Sequence, residues 1–486
     1  MSDAERERLV AENEELRAKS TALGAEIERL TRVVADLQAR LDKSSKNSSL
    51  PPSSDSPKDR AEATKTRAER RAEAKERRKD ELTRSRGKQP GAPGQNLAMR
   101  GHPDVIIEHE ATNCTSCGED LAHASLEGFE RRQVFDTPRP VVTSTEHRSL
   151  AKRCSCGKLN KGAFPREATA PASYGPNVRA SALYLLHGQH LSVERTAEAL
   201  SAMLGVHVST GFVASLATEA AGGLVGFIDE IRHRLRAATV VHADETSDQV
   251  RAETWWFHVV SNELYTYLFA SPTRGKSAPD EAGVLGSCAG VMMHDRLAMY
   301  FKYETSIHAI CGAHLIRDLA AVGVEPDQGW AVQMTDLLTE MNIAAHEARS
   351  GGLAALSGDQ LAAFLSRYDD IVEAGLAANV APTGRKRYKI ERDAFNLASA
   401  LKRLRAEATR FASDLVVPFT NNEAERSLRM AKLHRKVSGC FQSDDGARAF
   451  ATIRSYLATA RKHNVGALDV LAQLFRGEAW MPPSTT

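Results

Sequence analysis

Thr239–Ser247, TVVHADETS, decides how the rest of the chain is read. Thr239 to Val241 is apolar and β-branched, and His242, Asp244 and Glu245 follow. That composition predicts a short buried strand carrying carboxylates towards its far end. A carboxylate on a core strand is costly unless it is paired or holds a metal, so Asp244 needs partners elsewhere in the chain. Strand alternation puts His242 on the same face as Asp244 and turns Glu245 away.

Downstream, Thr254–Val260 (TWWFHVV) and Leu264–Ser271 (LYTYLFAS) are aromatic and β-branched with short polar connections, which predicts a three-stranded meander. Ser277–Gly286 has helical composition. Gly290–Asp295, GVMMHD, predicts a fourth strand ending on His294 and Asp295. The order β-β-β-α-β, with carboxylates on the first and fourth strands, is that of a ribonuclease H-like core. Helices are expected over Ser306–Val322, most of Gln328–Ala378, and Ala394–Ala412. Then comes PFTNNEAERSLRMAKLHRK (418–436). Asn421 or Asn422 suits an N-cap. Glu425, Arg429, Lys432 and Lys436 fall on one helical stripe, a carboxylate leading three cations that suit a phosphate backbone. A solvated helix with a Glu–Arg pair has the same pattern.

Upstream, Leu9, Leu16, Leu23, Leu30 and Leu37 recur every seven residues, with Asn13, Ser20, Ile27, Val34 and Leu41 at the other core position. This predicts a parallel coiled coil over 1–44 and a homodimer or higher oligomer; an amphipathic helix packed on its own chain is the alternative. Residues 45–100 read as a basic linker, largely disordered or solvated helix. From Lys58 to Lys88 there are 13 Lys or Arg against 7 Asp or Glu, either a spacer or an arm laid along phosphates.

Cys114-x2-Cys117-Gly118 and Cys154-x-Cys156-Gly157 are two close thiol pairs, each followed by glycine. They predict a structural Zn2+ site in a zinc-ribbon-like domain over 101–162, with short strands across Arg131–Val142 and Val142–Leu150. Four buried free thiols are the bland alternative. Residues 170–225 predict helices that stop at Gly205 and restart at Ser209, resembling a helix-turn-helix, although simple helical packing gives the same pattern. Cys311 and His314 share a helix with Arg317 and Asp318. They read as packing beside the site, with a second metal site as the alternative.

The 486 residues carry Lys+Arg 64 against Asp+Glu 62, so total charge selects no partner. The charged N-terminus and the lack of an apolar run of about 18 residues give the expectation of a cytoplasmic, nucleoid-associated bacterial protein. Cysteines there are unlike disulfide partners.

The chain resembles transposases of the insertion sequence 66 family over nearly its whole length. The resemblance is carried by KNSSLPPSSD (46–55), GKQPGAPG (87–94), the paired cysteines with RRQVFDTP (131–138), SYGPNVRA (173–180), HADET (242–246), HDR (294–296), CGAHLIRDL (311–319), NNEAERSLRM (421–430) and KVSGCF (436–441). It implies a helical N-terminal part, a zinc-binding domain, a DDE catalytic domain and a short C-terminal domain. The DDE pattern carries over to Asp244, Asp295 and Glu425. Glu425 is chosen over Glu423 because the family's glutamate directly precedes an arginine, here Arg426. Thr420 stands where the family often has Asp, outside the triad.

The expected architecture is therefore multidomain α+β. A catalytic domain spans 236–435 with a helical insertion over about 306–415, and a C-terminal helical domain spans 436–486. The expected activity is Mg2+-dependent cleavage and strand transfer of double-stranded DNA at the ends of the protein's own element. Two Mg2+ or Mn2+ ions would be held by Asp244, Asp295 and Glu425. Accessory proteins of the same element are candidate partners. A non-catalytic DNA-binding protein and a coiled-coil scaffold with a degenerate nuclease core are the competing readings; an intact acidic triad separates them from the enzyme.

Overall fold

The computed structural model describes residues 97–483, apart from 138, 139, 141, 166, 167, 169, 324–326, 380–388 and the side chains of 389–392. The heptads and most of the basic linker lie outside the described residues. Contacts divide the chain into two units, Met1–Thr137 and Pro138–Thr486.

In the first unit, Cys114 and Cys117 sit on a tight turn. Gly118 N–H donates to the Cys114 carbonyl at 2.9 Å, and Cys114 N–H donates to the Glu119 carbonyl at 2.8 Å. Gly118 has φ +78°, where a side chain would be strained. The second unit begins with the same device. Strands β1 (Ala151–Arg153) and β2 (Leu159–Lys161) pair antiparallel around Cys154 and Cys156. Gly157 N–H donates to the Cys154 carbonyl at 2.8 Å, with Gly157 at φ +89°. The strands expected across 131–150 do not form among the described residues. Val134 is 93% exposed and Leu150 65%. Alternation there meets no partner strand and no core face, so the backbone has nothing to pair with.

Helices α1 (Pro176–Leu183, running into a π turn over Tyr184–Gly188), α2 (Val193–Leu204), α3 (Thr210–Gly223) and α4 (Val225–Arg236) follow. Ser192 Oγ accepts from Arg195 N–H and Ser209 Oγ from Phe212 N–H, so both helices start where hydroxyl caps predict. The solvent side of α3 presents Ala214, Ser215, Thr218 and Glu219, with no Lys or Arg among its residues.

The central sheet is formed by β3 (Val240–Val250), β4 (Glu253–Ser261), β5 (Thr266–Ser271), β6 (Val291–His294) and β7 (Ile307–Ile310). Its order is β5-β4-β3-β6-β7. The first three strands are the antiparallel meander that the sequence predicts, and β6 and β7 run parallel to β3. Between β5 and β6 lies α5 (Ser277–Ala282). One correction concerns β7, where helix was expected from Ser306. Ile307–Ile310 is too short for periodicity to identify. It becomes a strand because β6 offers a parallel edge, with Met293 opposite Ala309.

The helix after β7 is α6 (Gly312–Val322). Then come α7 (Gly329–Ser350), α8 (Gly358–Ala378), α9 (Lys389–Arg403) and α10 (Arg405–Ser413), which with α6 build a helical core of their own around Trp330, Met334, Leu338, Tyr368 and Phe411. Helices α11 (Asn422–Ser438), α12 (Asp444–Lys462) and α13 (Ala467–Arg476) complete the chain. Val250, Phe257, Val259 and Leu268 on one sheet face pack with Ala424, Leu428 and Phe450 of α11 and α12. The opposite face joins Val241 and Ala243 to α4, α12 and α13 through Ile231, Leu235, Tyr456 and Leu471. Along the edge strand β5, Ser455 Oγ accepts from Leu268 N–H at 2.8 Å and Thr459 Oγ1 from Thr266 N–H at 3.1 Å. Helix α12 thus caps a sheet edge that would otherwise leave buried donors unpaired.

Candidate active site

Parallel pairing of β3 with β6 sets His242 opposite Met293. Two residues further along each strand direction are Asp244 and Asp295. Asp295 directly follows the last residue of β6, so the two carboxylates belong to neighbouring chain segments of the sheet. Asp244 is half-buried. Its carboxyl is pushed up to about 7, first by burial and then by the charges of Asp295, Glu245 and Glu425, against the pull of the Glu245 N–H. That N–H donates to Asp244 Oδ1 at 2.8 Å.

The position of Asp295 is set by its neighbours. Its Oδ1 accepts from Leu297 N–H at 3.0 Å, while His294 Nδ1 accepts from Arg296 N–H at 3.1 Å. His294 is fully buried and held neutral, its pKa lowered to about 3 by burial and by His308. Arg296 lies at φ +77° and pairs with Asp318 of α6. Arg296 and Asp318 line a cleft shared with Asp393 and Asn396 of α9.

Helix α11 brings the third carboxylate. Asn421 is fully buried, and its side chain makes no capping bond to the helix. Asn421 thus holds the expected N-cap position without the capping bond. Instead Nδ2 donates to the Ala243 carbonyl at 2.9 Å, and Oδ1 lies 2.9 Å from His242 Nδ1. Since Oδ1 only accepts, His242 Nδ1 carries the proton; burial keeps that ring neutral. His242 and Asp244 share the face under α11 and Glu245 points away. Glu245 is buried against Arg274, with its Nη2 at 2.8 Å, and accepts from Tyr300 OH at 2.7 Å.

The two candidate glutamates of α11 separate clearly. Glu423 lies 3.3 Å from Lys462 Nζ and 3.5 Å from Arg426. Glu425 contributes to the field at Asp244 and reaches within 3.6 Å of His314 Nδ1. Arg429, Lys432 and Lys436 continue from Glu425 along the exposed side of the helix. Among the described residues the three acids do not have ligand atoms all within 4.8 Å of one another. The set that does is Cys311, His314 and Glu425.

Gly312 permits this close approach. A Cβ there would sit 2.1 Å from the Phe419 ring, and Gly312 N–H donates to the Phe419 carbonyl at 2.8 Å. The N-termini of α6 and α11 are therefore laid against each other. The bonds of Asn421 cannot be read along the chain, because its partners lie 178 and 179 positions away.

The donors of Asp244, Asp295 and Glu425 are all oxygens, as a hard divalent cation requires. Burial and neighbouring negative charge disfavour the Asp244 carboxylate, a penalty that a cation relieves. Glu425 Oε1 is buried with no hydrogen-bond partner. The residues present therefore fit such an ion.

Comparison with known proteins gives three matches. Residues 171–449 match the model of the Transposase IS66 family. Residues 1–98 match a family of unknown function, DUF6444. The uncharacterized protein y4hP of Sinorhizobium fredii is 26% identical over 422 residues, covering 76% of this chain and 72% of that protein.

Proposed function

The chain belongs to the transposase IS66 family, and from that premise we propose that it cleaves double-stranded DNA at the ends of its own insertion sequence and joins them to a target. A transposase role and DNA as partner follow from the family. The finer assignment is that Asp244, Asp295 and Glu425 hold two Mg2+ or Mn2+ ions on a ribonuclease H-like sheet. The observation supporting it most is the parallel β3–β6 pairing, which sets the strand of Asp244 beside the strand that Asp295 follows, with Asn421 tying the helix of Glu425 to β3.

Held by Asp244, Asp295 and Glu425, two such ions would polarise the phosphate and activate the attacking oxygen. In cleavage, the water oxygen bonds to phosphorus and the 3′-oxygen leaves as a hydroxyl. In joining, that hydroxyl oxygen bonds to a target phosphorus and the target's own 3′-oxygen leaves. The protein contributes position and charge. Burial and the neighbouring acids favour the protonated form of the Asp244 carboxyl without metal, and a bound cation would favour the carboxylate. Asn421 fixes α11 against β3, and Arg429, Lys432 and Lys436 line the approach with positive charge along the phosphates.

The same reading places Zn2+ on Cys114, Cys117, Cys154 and Cys156, supported by the two matching Cys–Gly turns. It assigns dimerisation to the heptads of 1–44, further DNA contact to 45–100, and a cytoplasmic location on the nucleoid. Accessory proteins of the element are candidate partners.

Asp244→Asn, Asp295→Asn and Glu425→Gln should each abolish cleavage and strand transfer of a fluorescent end substrate while DNA binding persists. Transfer at the wild-type rate by purified Asp244→Asn protein would exclude the triad and favour the non-catalytic DNA-binding alternative.

A further inference from the structure

Cys311 closes the N-terminus of α6, and its Sγ is fully buried. Asn421 N–H donates to it at 3.2 Å. A backbone donor aimed at a sulfur helps to stabilise a thiolate bound to metal.

His314 Nδ1 and Glu425 Oε1 face each other at 3.6 Å, both buried and neither with a hydrogen-bond partner. A gap of that size is too long for a hydrogen bond. It is close to what a shared ion needs: two ligands each about 2.0–2.1 Å from tetrahedral zinc lie about 3.4 Å apart. Ligand atoms of Cys311, His314 and Glu425 all fall within 4.8 Å of one another. The helix ends that carry them are fastened by the Gly312–Phe419 backbone bond.

We propose that Cys311, His314 and Glu425 form a site for a borderline-soft divalent cation of the zinc class, and that filling it draws Glu425 out of the oxygen-donor site with Asp244 and Asp295. The ligand set decides the class. Thiolate and imidazole suit zinc, whereas Mg2+ requires oxygen donors. Three protein ligands leave a fourth position for water. Binding releases the Cys311 thiol proton to solvent. Zinc would thereby act as an inhibitory switch on the same glutamate. That consequence rests on the role assigned to Glu425 above; the site itself does not.

The test is zinc content per chain at fixed free Zn2+ for the full-length protein, Cys311→Ser and His314→Ala. Ser is near-isosteric and a good helix N-cap, so the first variant should fold; thermal midpoints check both. The wild type should bind one more zinc than either variant. Zinc added to Mg2+-supported strand transfer should inhibit the wild type at a concentration at least about tenfold below that needed for Cys311→Ser, as expected for loss of one of three ligands. Equal zinc content in folded wild type and Cys311→Ser would overturn the site whatever the strand-transfer result. A confirmed extra zinc that leaves transfer unaffected would overturn the inhibitory consequence and keep the site.

Discussion

The side-chain amide of Asn421 donates to the backbone carbonyl of Ala243 at 2.9 Å, one residue before Asp244. The bond ties the helix of Glu425 to the strand of Asp244, and the Asn421 carbonyl oxygen takes the His242 ring as well. Asn421→Ala leaves both partners buried and unpaired, costing about 1–3 kcal/mol of stability. It also frees the helix to shift. Strand transfer should fall about 10²-fold, the effect of a displacement near 1 Å. Denaturant unfolding and single-turnover transfer measure the two effects, and an unchanged rate in the folded variant would remove Asn421 from the positioning role.

Asp244 sets a pH dependence. Its folded carboxyl pKa, about 7, lies above the ordinary value of 3.8. Between those values the metal-free folded state binds more protons than the unfolded chain. This contribution to stability is fully present below about pH 4 and is lost as pH rises through 7. Metal-free Asp244→Asn should therefore be more stable than the wild type at pH 8, by on the order of a few kcal/mol. Mg2+ must displace that proton, so its stabilisation should be small at pH 5 and grow through pH 7. Thermal midpoints with and without Mg2+ at pH 5, 6, 7 and 8 decide it; a Mg2+ shift independent of pH contradicts the assignment.

Arg429, Lys432 and Lys436 stand on the exposed side of α11 beyond Glu425. If they contact phosphates, replacing each with Gln should weaken binding to any duplex sequence. Each should also lower the slope of log affinity against log salt by about 1. Fluorescence anisotropy from 50 to 300 mM salt reads both changes. Variants with unaltered slopes would leave this face as solvated surface.

The matching turns at Cys114 and Cys154 make a metal prediction separate from the Cys311 site. Cys114→Ser and Cys154→Ser should each lose the same single zinc, and combining them should remove no more. Both should retain the zinc assigned to Cys311 and His314. Metal analysis at equal free zinc distinguishes these populations; full occupancy in either serine variant would falsify shared coordination by the two pairs.

Much of the framework is visible in local chemistry. TVVHADETS and GVMMHD declare strands through β-branched runs, and Ser192 and Ser209 declare helix starts through their hydroxyls. Strand β7 was hidden because four residues carry too little periodicity and its identity depends on the β6 edge. The strands expected at 131–150 failed for the converse reason, since alternation alone supplies no partner. The choice between Glu423 and Glu425 came from the family pattern; in the structure Glu423 lies beside Lys462, while Glu425 faces His314.

The sequence by itself determined the residue chemistry and its short-range periods: acids at strand ends, a basic stripe behind Glu425, and glycines after each thiol pair. Tertiary structure alone decided which of these groups meet. Asn421 reaches back 178 positions to Ala243 and 110 to Cys311, and Glu425 comes to face His314 from a different helix. Propensity and capping act over a few residues and can be read along the chain. Contacts of that span exist only once sheet register and helix packing have fixed the backbone, because each depends on every element lying between.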